Sequence, residues 1–434
     1  MSQNNKLKTW RQALDYMYAK LPMYHRLGMV AYKKDLTNTI RLCNVCHNPQ
    51  NELKTIHIAG TNGKGTTTHI IAGGLQAQGY KVGVYTSPHY KDFRERIKIN
   101  GIYISKDYII EFLNTYLSDI EHIQPSFFEV SVALAFKYFT DMKVDFAVIE
   151  TGLGGRLDST NIIRPLISVI TNISFDHQAM LGNTLPEIAN EKAGIIKHQI
   201  PVIIGESQPE VKNVFINKAR EMNATLTFSD KVVRLEKTSE GQGFDDYDVF
   251  YHGKLMIRNL GIDMTGPFQE KNIITGIHSL IALSSVVNID FEKVKSFFPQ
   301  LKSKTGYLGR WQQLGIDPLI IADSAHNIAG ISIIINALKN IPYDRLHIII
   351  GFVNDKDISE ILELLPSDAM YYFARANIPR GLDAKLLEDM AMEKGLKGKA
   401  YSSVRKAYAA ARLKAKKNDL IFVGGSIFVV GEIL

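Results

Sequence analysis

The residues best suited to chemistry lie between Gly60 and Thr67, which read Gly-Thr-Asn-Gly-Lys-Gly-Thr-Thr. Glycines let the backbone turn sharply and approach a ligand closely, so several N–H groups can face one anion. Lys64 adds a cationic charge. Thr66 or Thr67 adds a hydroxyl suited to Mg2+. Together Gly60, Thr61, Asn62, Gly63, Lys64, Gly65, Thr66 and Thr67 form a set for binding the phosphates of a nucleotide. The spacing departs from the general phosphate-loop pattern, because Ile58 stands where its first glycine belongs and Gly65 separates Lys64 from Thr66. A second set begins at Glu150, a carboxylate followed by Gly152, Gly154 and Gly155. Packing alone does not call for those glycines; a glutamate reaching a metal held at the Lys64 loop does.

Positioning these residues requires strands that end just before them. Leu53–Ile58 is an apolar run bounded by glycine and reads as a buried strand; Ile70, Ile71 and Leu75 continue at helical spacing. Strand, glycine turn and helix aim a helix N-terminus at a phosphate. Lys81–Tyr85 is a second strand, stopped by Thr86-Ser87-Pro88-His89 because proline cannot extend the ladder. Val144–Ile149, Leu166–Ile170 and Pro201–Ile204 read as further strands. The segment from Leu226 to Leu260 reads as a peripheral hairpin region. Past a linker at Ser303–Leu308, the apolar runs Leu319–Ala322, Leu346–Ile350, Met370–Ala374 and Leu420–Val423 alternate with helical patterns. That alternation predicts a second α/β domain with a mainly parallel sheet.

The chain has 434 residues and a net charge of 51 − 44 = +7. The excess favours anionic partners, and a nucleotide satisfies it. No nucleic-acid signature accompanies the charge. The first residues contain no apolar signal core, and no apolar window is long enough to span a bilayer. A cytoplasmic monomer without membrane attachment is expected. Cys43, Cys46 and His47 spell a haem-attachment pattern; without an export signal it reads as incidental.

The run Ala-Gly-Thr-Asn-Gly-Lys-Gly-Thr-Thr resembles the nucleotide loop of the Mur ligase superfamily, and more specifically of the folylpolyglutamate synthase/dihydrofolate synthase family. Later motifs carry the same resemblance: Thr86–His89, Glu150–Asn161, Asp176-His177, Glu191–Lys197, Leu308–Trp311, Asp323–Ile328 and Gly351–Asp357. It implies an α/β fold, with a P-loop-containing, mainly parallel sheet domain over 1–301 and a smaller Rossmann-like domain over 302–434. Implied metal ligands, for two Mg2+ sites, are Thr66, Ser87, Glu150, His177 and a carbamylated Lys192. Phe128 and Asp158 would border the pterin pocket, an aromatic wall suiting a flat heteroaromatic ring. Asn272 would lie beside adenine, although a plain helix start explains it equally well. Arg310 would reach the ATP phosphates, Asp323 the nucleotide, and His326 and Ser426 the incoming glutamate. Leu308 replaces the family's proline, while Ser324 and Ile328 depart from its Asp-Gly-Ala-His-Asn-Pro. Arg26-Leu27-Gly28-Met29 is a mild variant of an N-terminal family element.

The implied reaction is ATP-dependent amide formation, adding L-glutamate to dihydropteroate, tetrahydrofolate or both through an acyl phosphate. Lys64, Lys192 and His326 are the implied catalytic residues, and turnover would require closure of an interdomain cleft. Three other readings remain: a peptidoglycan ligase of the Mur type, which the short leader opposes; a small-molecule kinase; and a non-catalytic nucleotide-binding regulator.

Overall fold

The computed structural model describes residues 6–22, 35–240, 243–354 and 358–434. The expected element at Arg26–Met29 and the Asp355–Asp357 part of the later motif fall outside them. Two compact units divide the chain. The first comprises Met1–Ser87, Phe93–Thr265 and Gln269–Tyr307; the second comprises Pro88–Asp92, Gly266–Phe268 and Leu308–Leu434.

The first unit is built on an eight-stranded sheet. Its strands are β1 (Thr55–Ala59), β2 (Val82–Tyr85), β3 (Ile97–Ile99), β4 (Ile102–Tyr103), β5 (Phe146–Glu150), β6 (Ile167–Ile170), β7 (Val202–Ile204) and β8 (Leu226–Phe228). They lie in the order β4-β3-β2-β5-β1-β6-β7-β8. All pairs from β2 to β8 are parallel, while β3 and β4 turn back as an antiparallel edge. Strands β1, β2, β5, β6 and β7 are buried throughout, as expected when helices cover both faces of a parallel sheet. The helix Lys64–Ala77 packs on one face and Phe127–Asp141 on the other, each among its own apolar cluster. Ser126 caps the second of these through a reciprocal box with Glu129.

The segment from Leu226 corrects one expectation. Leu226–Phe228 is not peripheral; it pairs with β7 as the last strand of the main sheet. The true hairpins follow as β9 (Val233–Glu240), β10 (Asp245–Tyr251) and β11 (Lys254–Ile262), a separate antiparallel sheet. Cys43 and Cys46 are buried, free thiols. Burial raises both thiol pKa values, that of Cys46 to about 12, which leaves them unreactive.

In the second unit, β12 (Gln312–Gly315), β13 (Leu319–Ala322), β14 (Leu346–Ile350), β15 (Met370–Ala374), β16 (Gly398–Tyr401) and β17 (Leu420–Gly424) form a six-stranded sheet. Its order is β12-β13-β17-β14-β15-β16, parallel except at β12. The four runs predicted as strands occupy its centre; the half-buried edges β12 and β16 lack a continuous apolar run. Residues Pro88–Asp92, which continue the Thr-Ser-Pro-His stretch, belong to this unit: Tyr90 Oη donates to the Gly309 carbonyl (3.0 Å) and lies 2.8 Å from Ser324 Oγ.

Candidate active site

Neighbouring parallel strands lie about 4.8 Å apart, so adjacent strand ends assemble residues distant in sequence. In the order β2-β5-β1-β6, the carboxyl ends lead into Ser87, Glu150, the Gly60–Lys64 loop and Thr171–His177. The chain order switches sides at β1, the place where open α/β sheets hold ligands.

The loop leaves β1 at Gly60, and Gly63 caps the helix Lys64–Ala77 with φ +83°. A β-carbon on Gly63 would overlap Asn272 Oδ1. Asn272 thus packs on the phosphate loop, and its Nδ2 donates to Gln269 Oε1 (3.2 Å). Alanine at position 63 meets both a disfavoured backbone angle and this collision. Gly63→Ala should cost about 1–3 kcal/mol in strain and weaken ADP binding roughly tenfold or more. ADP titration and thermal unfolding check this, and unchanged affinity contradicts it.

A second loop pins the first. Thr61 N–H donates to Asn172 O (2.9 Å), Asn62 N–H to Asn172 Oδ1 (3.1 Å) and Thr61 Oγ1 to Ser174 O (3.2 Å). Thr171 Oγ1 donates to Asn62 O (2.6 Å). Sequence reading gave Thr171, Asn172 and Ser174 no such role; their position after a strand was the only signal.

Lys64 Nζ folds over this loop and donates to Gly60 O (3.1 Å) and Thr61 O (3.2 Å). Lys192 Nζ, which is buried, donates to the same Gly60 carbonyl at 2.9 Å. Burial, and secondly the nearby Lys64 charge, lower the Lys192 pKa to about 7, against opposing pulls from Asp176 and Asp158. The chain brings Lys192 here through close backbone contact. The helix Leu185–Ala193 lies against the glycine run, and a β-carbon on Gly155 would stand 2.9 Å from the carbonyls of Glu191 and Lys192. Arg156 Nη2 pairs with Glu191 Oε1 at 2.7 Å across the same junction.

Glu150 is buried, and its Oε2 accepts from Ser87 N–H at 3.4 Å. The same oxygen stands 3.8 Å from where a β-carbon on Gly65 would lie. The Lys64 loop, Ser87 and Glu150 therefore converge. Thr66 is buried with its Oγ1 2.7 Å from Tyr307 Oη, whereas Thr67 Oγ1 is buried without a hydrogen-bond partner among the described residues. His177 caps a short helix, Gln178–Leu181, in the left-handed region, with Nε2 3.9 Å from Asp176 Oδ1.

Of the two phenylalanines, Phe127 is core, stacked on Tyr18 at 5.6 Å, and Phe128 is partly exposed. The Phe128 ring covers Gly152, where any β-carbon would collide with it, so packing does call for glycine here and at Gly155, contrary to the expectation from sequence. Asp158 is buried and holds its own loop: Oδ2 accepts from Gly152 and Leu153 N–H (2.8 Å each), and Oδ1 from Thr160 N–H (3.0 Å). Burial raises its pKa against those hydrogen bonds.

The second unit repeats the arrangement at β13, β17 and β14, whose carboxyl ends lead to Asp323, Ser426 and Gly351. Buried Asp323 accepts from Trp311 N–H (2.7 Å) and Ala325 N–H (2.8 Å) and lies 3.9 Å from Arg310 Nη1. It braces the Gly309-Arg310-Trp311 turn, in which Trp311 has φ +43°. Arg310 remains more than one-third exposed. His326 Nδ1 is 3.0 Å from the Ser324 carbonyl. A carbonyl only accepts, so neutral His326 carries its proton there and keeps Nε2 as an acceptor. Ser426 Oγ accepts from Val429 N–H (3.2 Å) and Asn327 Oδ1 from Gly330 N–H (2.8 Å), both as helix caps.

The first unit defines a phosphate-binding α/β enzyme, and comparison with known proteins is more specific. Residues 58–280 match the Mur ligase middle domain and residues 309–427 the Mur ligase glutamate ligase domain. A dihydrofolate synthase/folylpolyglutamate synthase of Bacillus subtilis is 32% identical over 89% of this chain and 90% of its own. The Escherichia coli enzyme of the same description is 32% identical over 87% of this chain and 85% of its own. Among solved structures, E. coli FolC in complex with DHPP and ADP superposes with a TM-score of 0.86 at 28% identity, covering 98% and 97% of the two chains. A Yersinia pestis bifunctional folylpolyglutamate synthase/dihydrofolate synthase complexed with AMPPNP and Mn gives 0.85 at 26%, covering 99% and 98%. The chain belongs to the folylpolyglutamate and dihydrofolate synthase family of Mur ligases.

Proposed function

We propose that this protein joins L-glutamate to the carboxylate of a pteroate or reduced folate at the expense of ATP. The convergence of Lys64, Ser87, Glu150 and Lys192 on one loop carries this reading. The substrate carboxylate attacks the γ-phosphorus, ADP leaves, and an acyl phosphate forms. The glutamate amine attacks the acyl carbon, phosphate leaves, and the amine gives up a proton. Lys64 neutralises charge as two anions meet; at about 4 Å and an effective dielectric near 20 their repulsion is roughly 4 kcal/mol. We assign Arg310 to the phosphates, Asp323 to bracing the turn that holds Arg310, and His326 Nε2 to orienting the attacking amine, with Ser426 beside it. Phe128 borders the pteridine and Asp158 shapes its loop. We assign pteridine binding and most of nucleotide binding to 1–301 and glutamate recognition to 302–434, of which residues 302–307 pack with the first unit and Arg310 serves the phosphates.

Among the described residues no cluster of three His, Cys, Asp or Glu side chains is placed to hold a metal. That suits Mg2+, which takes one or two carboxylates and completes its shell with water and substrate phosphates. Glu150, Ser87 and Thr66 are hard oxygen donors at the loop and fit it. Bound there, Mg2+ would withdraw charge from the transferring phosphoryl group. His177 and Lys192 would serve a second ion, with Lys192 as its carbamate: a neutral amine adds CO2, releases a proton to solvent and becomes an anionic oxygen ligand. Supplying dihydropteroate and tetrahydrofolate separately, with ATP, Mg2+ and L-glutamate, tests the reading. ADP should accumulate over many turnovers only when both acceptor and glutamate are present. Sustained ADP release without glutamate, beyond one equivalent per enzyme, would overturn it.

A further inference from the structure

Several helical serines and threonines in this chain donate to the carbonyl four residues back. Ser131 does so to Phe127 O, Thr275 to Lys271 O, Ser279 to Thr275 O and Thr305 to Leu301 O, all within 2.7–2.8 Å. This is the ordinary resting place of such a hydroxyl. Thr66 differs. Its Oγ1 lies 2.7 Å from the phenol of Tyr307, a residue remote in sequence, and both side chains are buried.

Tyr307 is itself held in place. Gln269 Nε2 donates to its Oη at 3.3 Å. The His69 ring meets the Tyr307 ring edge to face at 5.1 Å and 67°. Lys98 Nζ, also buried, donates to the neighbouring Gly306 carbonyl at 2.8 Å and to His69 Nε2 at 2.9 Å. With Nε2 accepting, His69 Nδ1–H donates to Gly65 O at 2.7 Å. Two chains of contacts thus join Gly306-Tyr307 to the first turn of the phosphate-loop helix.

A threonine hydroxyl has one proton. To turn a lone pair toward a cation, it must place that proton on a fixed acceptor, and such outer partners orient metal ligands. We infer that Tyr307 is a positioning residue: its Oη accepts the hydrogen bond of the Thr66 hydroxyl and so presents a Thr66 Oγ1 lone pair to the divalent cation that accompanies the nucleotide. A phenol oxygen can accept from Thr66 and Gln269 together, whereas phenylalanine accepts from neither. The inference rests on the reading of residues 60–67 as a metal–nucleotide loop.

ADP binding, titrated across Mg2+ concentrations and in EDTA, tests it without turnover. Tyr307→Phe keeps the ring contact with His69. It should leave metal-free ADP affinity within about twofold but raise the Mg2+ concentration for half-maximal tightening roughly 10- to 100-fold. Thr66→Val should do at least as much, and adding Tyr307→Phe to it should do no more, because both remove one coupled unit. A thermal midpoint in EDTA confirms that each variant is folded. A wild-type Mg2+ midpoint in folded Tyr307→Phe, or additive effects in the double variant, would overturn the role of Tyr307. Indifference of wild-type ADP binding to Mg2+ would instead overturn the metal–nucleotide reading beneath it.

Discussion

Lys192→Ala should lower the rate of glutamate addition roughly 10²- to 10³-fold, the scale of losing a group that meets developing charge in a closed site. Short carboxylic acids should partly restore the rate by replacing the lost carboxylate. The physical basis is the depressed pKa of this amine, about 7, caused first by burial and then by Lys64. A free lysine is almost wholly protonated at neutral pH and cannot add CO2; a buried one near pH 7 is substantially neutral. Carbamate formation should therefore rise as pH increases through about 7, read as a carbon-13 carbamate signal with labelled bicarbonate. Stability follows the same shift. The native state binds this proton less tightly than the unfolded chain does, so the cost is full below about pH 7 and fades as pH approaches the ordinary lysine value of 10.5. An alanine variant with full activity would remove the carbamate from the account.

Lys64→Ala should be comparably severe, again about 10²- to 10³-fold in kcat, with little change in thermal midpoint because the side chain is only partly buried. It has a second expected effect. Lys64 is the second cause of the lowered Lys192 pKa, so removing its charge should move the pH midpoint of the carbamate signal upward. Burial, the larger cause, remains, and the shift should be partial. A variant that turns over normally would contradict the role given to Lys64, and a carbamate midpoint that stays fixed would contradict its electrostatic coupling to Lys192.

Of the two lysines, Lys64 was legible in residue type and spacing for a physical reason, whereas Lys192, inside the helix Leu185–Ala193, was drawn only from the family resemblance. Gly63, Lys64 and Glu150 follow short apolar strands, and strand ends in a parallel sheet share one edge. Residue type and order are enough to place them. The same rule found the four central strands of the second unit. It missed β8, whose three half-buried residues carry no apolar run. It also missed residues that acquire a role only through folding. Lys98, His69 and Tyr307 are ordinary in sequence and meet behind the phosphate loop. Tyr90 was unremarked until it lay on Gly309. Asp158 was drawn from a motif, and the fold shows its carboxylate clamping a glycine loop. Ser426 and Asn327 stood in family motifs, and each side chain also does the work of a helix cap.

The central proposition is that a substrate carboxylate is phosphorylated by ATP and then displaced by the amine of glutamate. Its most direct test uses an acceptor whose reacting carboxylate carries oxygen-18, with ATP, Mg2+ and L-glutamate, followed by mass analysis of phosphate and pterin product. The account predicts one labelled oxygen in the inorganic phosphate and a product heavier by one glutamyl residue. Unlabelled phosphate, or a stable phosphorylated end product that carries no added glutamyl residue when glutamate is present, would contradict it.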